Sequence, residues 1–135
     1  PLARVLANLG VKKAMVVYGQ DGLDEISMSA PTTVCEVKDG EFLSYVITPE
    51  QFGFTRCSKD ELIGGSPQDN AQIALAILKG EKGPRRDAVV LNSAAAIHIA
   101  KGISIEDAIR EAQEVIDSGK ALAQLEQFAA LTNQE

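Results

Sequence analysis

Three carboxylates stand within five residues in the segment that follows a short apolar run. Asp21, Asp24 and Glu25 come shortly after residues 14–17 (AMVV), a run typical of a buried strand. In open α/β folds ligands bind beyond the carboxyl ends of the strands, and carboxylates are the hard oxygen ligands that Mg²⁺ prefers. The pattern favours a cation-binding loop. The alternative is an ordinary acidic turn, because Asp also favours turns through its own side-chain hydrogen bonds.

The composition restricts the classes of partner. The chain has 135 residues, 45% of them hydrophobic, and a formal net charge of −6. An acidic chain lacks the concentrated positive field that attracts a nucleic acid or an anionic membrane. The sequence contains neither an apolar run of about 20 residues, the length needed to cross a bilayer, nor the pattern of a signal peptide. We therefore expect a cytoplasmic protein with no nucleic-acid or membrane partner.

The first half of the chain predicts a helix, a strand and a hairpin. Apolar spacing over residues 2–9 indicates a helix, and the chain looks cut from a longer protein because it begins inside that pattern. Residues 13–18 predict a strand covered on both faces, as in a parallel sheet. Residues 32–37 and 41–48 predict a hairpin around Lys38-Asp39-Gly40. The expected fold class is α/β, with part of a mixed sheet flanked by helices.

The second half predicts helices only. Ser66 and Ser104 are good N-caps for helices over residues 67–78 and 105–118, and Gly119 separates the latter from a last helix. Between them, a helix with residues 87–100 as its body is apolar nearly all round, which predicts neighbours on more than one side. The last helix is expected to turn a stripe of apolar residues inward: Leu122, Leu125, Phe128 and Leu131.

Other polar features of the sequence have two interpretations each. The Gly-Gly-Ser-Pro stretch at 64–67 could bind phosphate at a helix N-terminus, but Asp69 already occupies that favourable field. Arg85 and Arg86 could bind a phosphate or carboxylate, or could pair with Asp87 and nearby carbonyl groups. His98 stands in an apolar helical run, where a hydrogen-bonded core histidine is commoner than a catalytic one. We favour the structural interpretation in all three cases.

Cys35 and Cys57 are too few and too far apart in sequence for a disulfide framework, a zinc site or a redox motif. We expect both to be ordinary reduced thiols.

Three segments together resemble the C-terminal part of the anthranilate phosphoribosyltransferase family. The match extends over essentially the whole chain, and the Asp-Gly-Leu-Asp-Glu stretch is its most diagnostic part. The segments are residues 17–27 (VYGQDGLDEIS), 64–71 (GGSPQDNA) and 83–96 (GPRRDAVVLNSAAA).

The resemblance implies a fold, a reaction and a metal site. The fold would be that shared by nucleoside phosphorylases and this class of phosphoribosyltransferase, with residues 1–135 as the C-terminal segment of the large α/β domain. The reaction is transfer of the 5-phosphoribosyl group from phosphoribosyl pyrophosphate (PRPP) to anthranilate, in tryptophan biosynthesis. Asp24 and Glu25 match the family's Mg²⁺ ligands, and Asp21 would have a loop-ordering role behind them. None of the matched residues is expected to be catalytic in its own right.

The family places its other functional parts upstream of this segment. These are the glycine-rich loop that grips pyrophosphate, the anthranilate contacts and the small helical domain that forms the homodimer. We therefore expect this chain to be inactive alone. Two alternatives remain: a nucleoside phosphorylase of the same fold, which has less use for paired carboxylates, and a non-catalytic interaction module, in which the acidic loop is a solvated turn.

Overall fold

The computed structural model describes residues 1–133. Within this range a three-stranded sheet lies beside five α-helices, so the predicted α/β class is confirmed. The helices are α1 (Leu2–Asn8), α2 (Pro67–Leu78), α3 (Pro84–Lys101), α4 (Ile105–Asp117) and α5 (Lys120–Thr132); the strands are β1 (Lys13–Gly19), β2 (Thr32–Lys38) and β3 (Glu41–Ile47); short 3₁₀ helices lie at Pro49–Phe52 and Lys59–Leu62.

The sheet has the order β1-β2-β3, and both strand pairs are antiparallel. The β2–β3 hairpin is confirmed. Lys38 pairs with Glu41 across the two-residue turn Asp39-Gly40, and both turn residues have positive φ (50° and 85°). This is the conformation of a type I′ turn, whose twist matches that of the flanking strands.

Within the described residues the pairing of β1 is antiparallel and not parallel as expected, although the burial of both its faces was predicted correctly. β1 pairs with β2 in antiparallel register, and no parallel strand adjoins it in the part of the chain that the structure describes. One face, with Ala14 and Val16, packs against α1, while Met15 and Val17 on the other face contact the main core. Helix on one side and core on the other therefore account for the continuous apolar run.

The main core lies between the sheet and the α3–α4 pair. Its buried members are Ile26, Met28, Val34, Ile47, Val90, Leu91, Ala94, Ala108, Ile109, Ala112 and Ile116. Burial of these aliphatic side chains is the principal force that holds the helices on the sheet. It contributes about 25 cal/mol per Å² of apolar area removed from water. The described residues contain no single helix long and apolar enough to cross a membrane; only α3 and α4 taken together would be, and they meet at 116°.

The helix starts agree with the capping signals. Ser66 Oγ accepts a hydrogen bond from Asp69 N, and Ser104 Oγ accepts one from Asp107 N, which satisfies N–H groups that a helix start leaves unpaired. The inward stripe of α5 was wrong, because Leu125, Phe128 and Leu131 are exposed. Their spacing defines one face of a helix, but it does not say what that face packs against.

His98 is tucked in and hydrogen-bonded, as the sequence predicted. Its Nδ1 contacts the carbonyl of Ile103, and its Nε2 lies 3.4 Å from Glu36 Oε1. Tyr45 Oη donates to the other oxygen of Glu36 at 3.0 Å, and burial first, then this carboxylate, raises the pKa of Tyr45 to about 12. The group joins the sheet to the α3–α4 connection and is a packing feature.

Candidate functional site

A tight turn ends β1 and begins the acidic segment. Gly19 N donates to Leu23 O at 2.9 Å, and Gly22 N donates to Gly19 O, also at 2.9 Å. Gly19 is buried, and a Cβ atom at this position would lie 2.7 Å from Asp21 Oδ1. The strand therefore ends in glycine because the side chain of Asp21 folds back over its backbone.

Asp21 orders the start of the loop through hydroxyl groups. Its Oδ2 accepts hydrogen bonds from Ser27 Oγ at 2.8 Å and from Ser29 Oγ, and Oδ1 lies 3.5 Å from Leu23 N. Burial alone would raise the pKa of this carboxyl, but the bonds from Ser29, Ser27 and the backbone outweigh burial and hold the pKa below its usual value. Asp21 is thus a carboxylate already committed to internal partners.

The end of the acidic segment is bound to α3. Ile26 N donates to Asn92 Oδ1 at 2.9 Å, and Asn92 Nδ2 donates to Ile26 O at 2.9 Å and to Ala88 O at 3.0 Å. Ile26 itself is buried in the core. The segment is therefore fixed at both ends, by Asp21 at the first and by Asn92 at the second.

Asp24 and Glu25 lie between these two anchors, exposed to solvent. Both line a cleft of about 520 Å³ formed by the acidic segment, the residues around Gly64, α2 and α3. Within residues 1–133 neither carboxylate is part of the ion pairs or side-chain hydrogen bonds found. The two acidic side chains are therefore free to bind a ligand at the cleft.

Two neighbouring carboxylates can supply part of the ligand set of a magnesium site. Among the described residues no group of three or more His, Cys, Asp or Glu side chains is placed to hold a metal ion. Mg²⁺, however, is commonly bound by one or two carboxylates, with water and substrate phosphates completing its octahedral shell. Asp24 and Glu25 match the protein's share of that donor set, two carboxylates.

The turn at residues 64–67, of which Gly64 lines the cleft, uses backbone N–H groups for internal hydrogen bonds. Gly65 N donates to Asn70 Oδ1 at 2.9 Å, and Ser66 N donates to Asp69 Oδ2 at 3.0 Å. These are two of the N–H groups that a phosphate would need at the start of α2. A phosphate bound at residues 64–67 would therefore lack its principal N–H donors.

The two arginines have internal partners. Arg85 Nη2 donates to Ile63 O at 2.7 Å at the edge of the cleft, as expected for a pairing with nearby carbonyls. Arg86 is buried and pairs with Asp117 on α4, at 2.8 Å from Nη2 to Oδ1, rather than with Asp87. This partner could not be predicted from the sequence, because it lies 31 residues further along the chain.

Both cysteines are free thiols, as the sequence predicted. Burial, and then the charge of Glu61, raises the pKa of Cys57, whose Sγ lies 3.5 Å from Met28 O. A thiol with a raised pKa is protonated at neutral pH and is a poor nucleophile.

The chain is a member of the glycosyl transferase family, by its a/b domain: the family model matches residues 1–122. Its curated relatives include the anthranilate phosphoribosyltransferases of Methanobrevibacter smithii, 60% identical over 134 residues, and Lachnoclostridium phytofermentans, 54% identical over 134 residues. Each alignment covers 98% of this chain but only 40% of the relative. The chain thus spans about two fifths of the length of these relatives.

Solved structures agree with this assignment. Anthranilate phosphoribosyltransferase from Thermus thermophilus superposes with a TM-score of 0.87 at 39% identity, over 96% of this chain and 38% of that one. The Saccharomyces cerevisiae enzyme in complex with PRPP and Mg superposes with a TM-score of 0.79 at 28% identity, over 87% of this chain and 34% of that one. The expected phosphoribosyltransferase-like fold is confirmed.

Proposed function

We propose that this chain supplies the magnesium-binding part of an anthranilate phosphoribosyltransferase. The full-length protein would transfer the 5-phosphoribosyl group from PRPP to the amino nitrogen of anthranilate and release pyrophosphate. The observation that carries the proposal is that Asp24 and Glu25 are exposed on a cleft beyond the end of β1 and have no ion-pair partner within residues 1–133. The names of the curated relatives and the Saccharomyces cerevisiae complex with PRPP and Mg support it.

In this proposal Asp24 and Glu25 supply two hard oxygen ligands to Mg²⁺. The bound ion would stabilise the negative charge that develops on the leaving pyrophosphate. Asp21 keeps its carboxylate turned inward to Ser27 and Ser29, so it orders the loop rather than binding the metal. The chain's own contribution is therefore a loop held at both ends, with two acidic side chains presented between the anchors.

The proposal extends to the organisation of the longer protein. Residues 1–135 would form the C-terminal segment of the large α/β domain of a cytoplasmic homodimer. The glycine-rich pyrophosphate loop, the anthranilate contacts and the helical domain would belong to the part of the relatives' length that this chain does not match. We therefore expect residues 1–135 alone to be inactive.

The test is a product assay on the full-length gene product. Incubation with PRPP, anthranilate and Mg²⁺ should yield N-(5-phosphoribosyl)anthranilate and pyrophosphate, and omission of PRPP should abolish both. A parallel incubation with a nucleoside and inorganic phosphate tests the phosphorylase alternative. Release of free base there, with no product from anthranilate, would contradict the proposal; no turnover in either assay would favour the interaction module.

A further inference from the structure

We infer that Asn92 is a positioning residue that holds the Asp24-Glu25 segment against α3 and thereby sets the affinity of the site for Mg²⁺. The inference rests on the proposed function for its metal-binding part. Asn92 does not line the cleft with the two carboxylates. Its effect would pass through the backbone of Ile26, the residue directly after Glu25.

The side chain of Asn92 makes three hydrogen bonds, two of them to the backbone of Ile26. The side-chain oxygen accepts from Ile26 N, and the side-chain nitrogen donates to Ile26 O, both at 2.9 Å. The second hydrogen of the amide is taken by Ala88 O, one turn earlier on α3, at 3.0 Å. This last bond fixes which way the amide faces, because only the nitrogen can donate to two carbonyl groups.

The three hydrogen bonds of Asn92 form a clamp on Ile26. The burial of Ile26 makes this clamp hard to replace. Ile26 is 3% exposed, so solvent cannot readily take over its N–H and C=O groups if the side chain of Asn92 is removed. Buried backbone groups without partners are costly and are rare in folded proteins. The local backbone would have to move to regain partners, and Glu25 would move with it.

Only a side chain that ends in an amide at this distance from the backbone can make all three hydrogen bonds. In Asn92→Asp the shape is kept, and a carboxylate can still accept from Ile26 N, but it has no hydrogen to donate to Ile26 O or Ala88 O. In Asn92→Ala all three bonds are lost. The two variants therefore separate loss of the donors from loss of the whole clamp.

Both variants are tested in the full-length gene product against Ile116→Val, which removes a methyl group from the same core at a residue that makes none of these three hydrogen bonds. We expect amide hydrogen exchange at Ile26 to be faster in Asn92→Ala and Asn92→Asp, but not in Ile116→Val. In phosphoribosyl transfer, the Mg²⁺ concentration for half-maximal rate should rise about 10- to 100-fold, the usual effect of losing a group that orients a metal ligand. Turnover at saturating Mg²⁺ should be largely retained.

Two results would overturn the inference. One is unchanged exchange at Ile26 in both Asn92 variants. The other is an unchanged Mg²⁺ requirement in them when Asp24→Ala raises that requirement. If Asp24→Ala and Glu25→Ala have no effect on the Mg²⁺ requirement either, the proposed metal role has failed, and exchange at Ile26 alone decides whether Asn92 positions the segment.

Discussion

At the scale of single residues, three carboxylates of one segment have different surroundings. Asp21 accepts hydrogen bonds from Ser27 and Ser29, whereas Asp24 and Glu25 are exposed on the cleft. An inward carboxylate with hydroxyl partners has little capacity left for a cation, while a solvent-facing carboxylate can exchange water for one. The acid that orders the loop is therefore distinct from the two proposed to bind the metal.

Replacing Asp21 by Asn should destabilise the protein. The amide oxygen of Asn can accept from the same hydroxyls but cannot match the charge-assisted bonds, so the expected loss is about 1–3 kcal/mol in the free energy of unfolding at neutral pH. The pKa of Asp21 is lowered in the folded protein, so its contribution is present above the unfolded pKa and is lost as pH falls through the folded pKa. The wild-type advantage should therefore shrink on acidification.

Urea denaturation of the full-length protein, at neutral pH and in the acid range, measures this effect. Asp39→Asn is the control, because Asp39 is exposed in the hairpin turn and Asn tolerates positive φ. A wild-type advantage over Asp21→Asn that grows on acidification would show that the bonds from Ser27 and Ser29 do not favour the ionised form.

At the scale of elements, the acidic segment depends on how β1 ends. The turn at Gly19 lets the side chain of Asp21 fold back, and the clamp from α3 fixes the segment at Ile26. A strand and a helix that are distant in sequence thus determine where Asp24 and Glu25 lie.

Gly19→Ala should disturb this arrangement. The added Cβ would lie 2.7 Å from Asp21 Oδ1 and 3.2 Å from the Cβ atoms of Leu23 and Ser27. Overpacking of this kind costs about 1–3 kcal/mol, and a lowered melting temperature measures it. Lys13→Ala, at the exposed start of the same strand, is the control and should change little. Equal melting temperatures for Gly19→Ala and the control would contradict the close packing described for the turn.

Local signals in the sequence predicted most of the elements. Ser66, Ser104 and the Asp39-Gly40 turn act through bonds and backbone angles within a few residues, so their effects can be read without the fold. The antiparallel pairing of β1 could not be predicted, because an apolar run shows that both faces of a strand are covered but not in which direction its neighbour runs. The partner of Asn92 could not be predicted either, since it lies 66 residues away; a polar residue inside an apolar helix was the available signal.

At the scale of the whole molecule, a buried charge joins two helices that flank the core. The side chain of Arg86 is 5% exposed and pairs with Asp117, which is 45% exposed and also pairs with Lys82. Arg86 Nε is buried and has no hydrogen-bond partner among the described residues. The charge of Asp117 compensates the burial of this guanidinium group at the start of α3.

Asp117→Asn should lower the melting temperature of the full-length protein, because it removes the charge that compensates buried Arg86. Glu50→Gln is the matched control: it removes the charge from the exposed pair with Arg56, and exposed ion pairs contribute little to stability. If the two variants melt alike, the Arg86–Asp117 pair acts as an ordinary surface contact and does not hold α3 to α4.

The most direct test of the account is the Mg²⁺ dependence of phosphoribosyl transfer by the full-length gene product. We predict that Asp24→Ala and Glu25→Ala each raise the Mg²⁺ concentration for half-maximal rate at least about tenfold, while Glu126→Ala on exposed α5 leaves it at the wild-type value. Wild-type Mg²⁺ dependence and rate in both Asp24→Ala and Glu25→Ala would contradict the account.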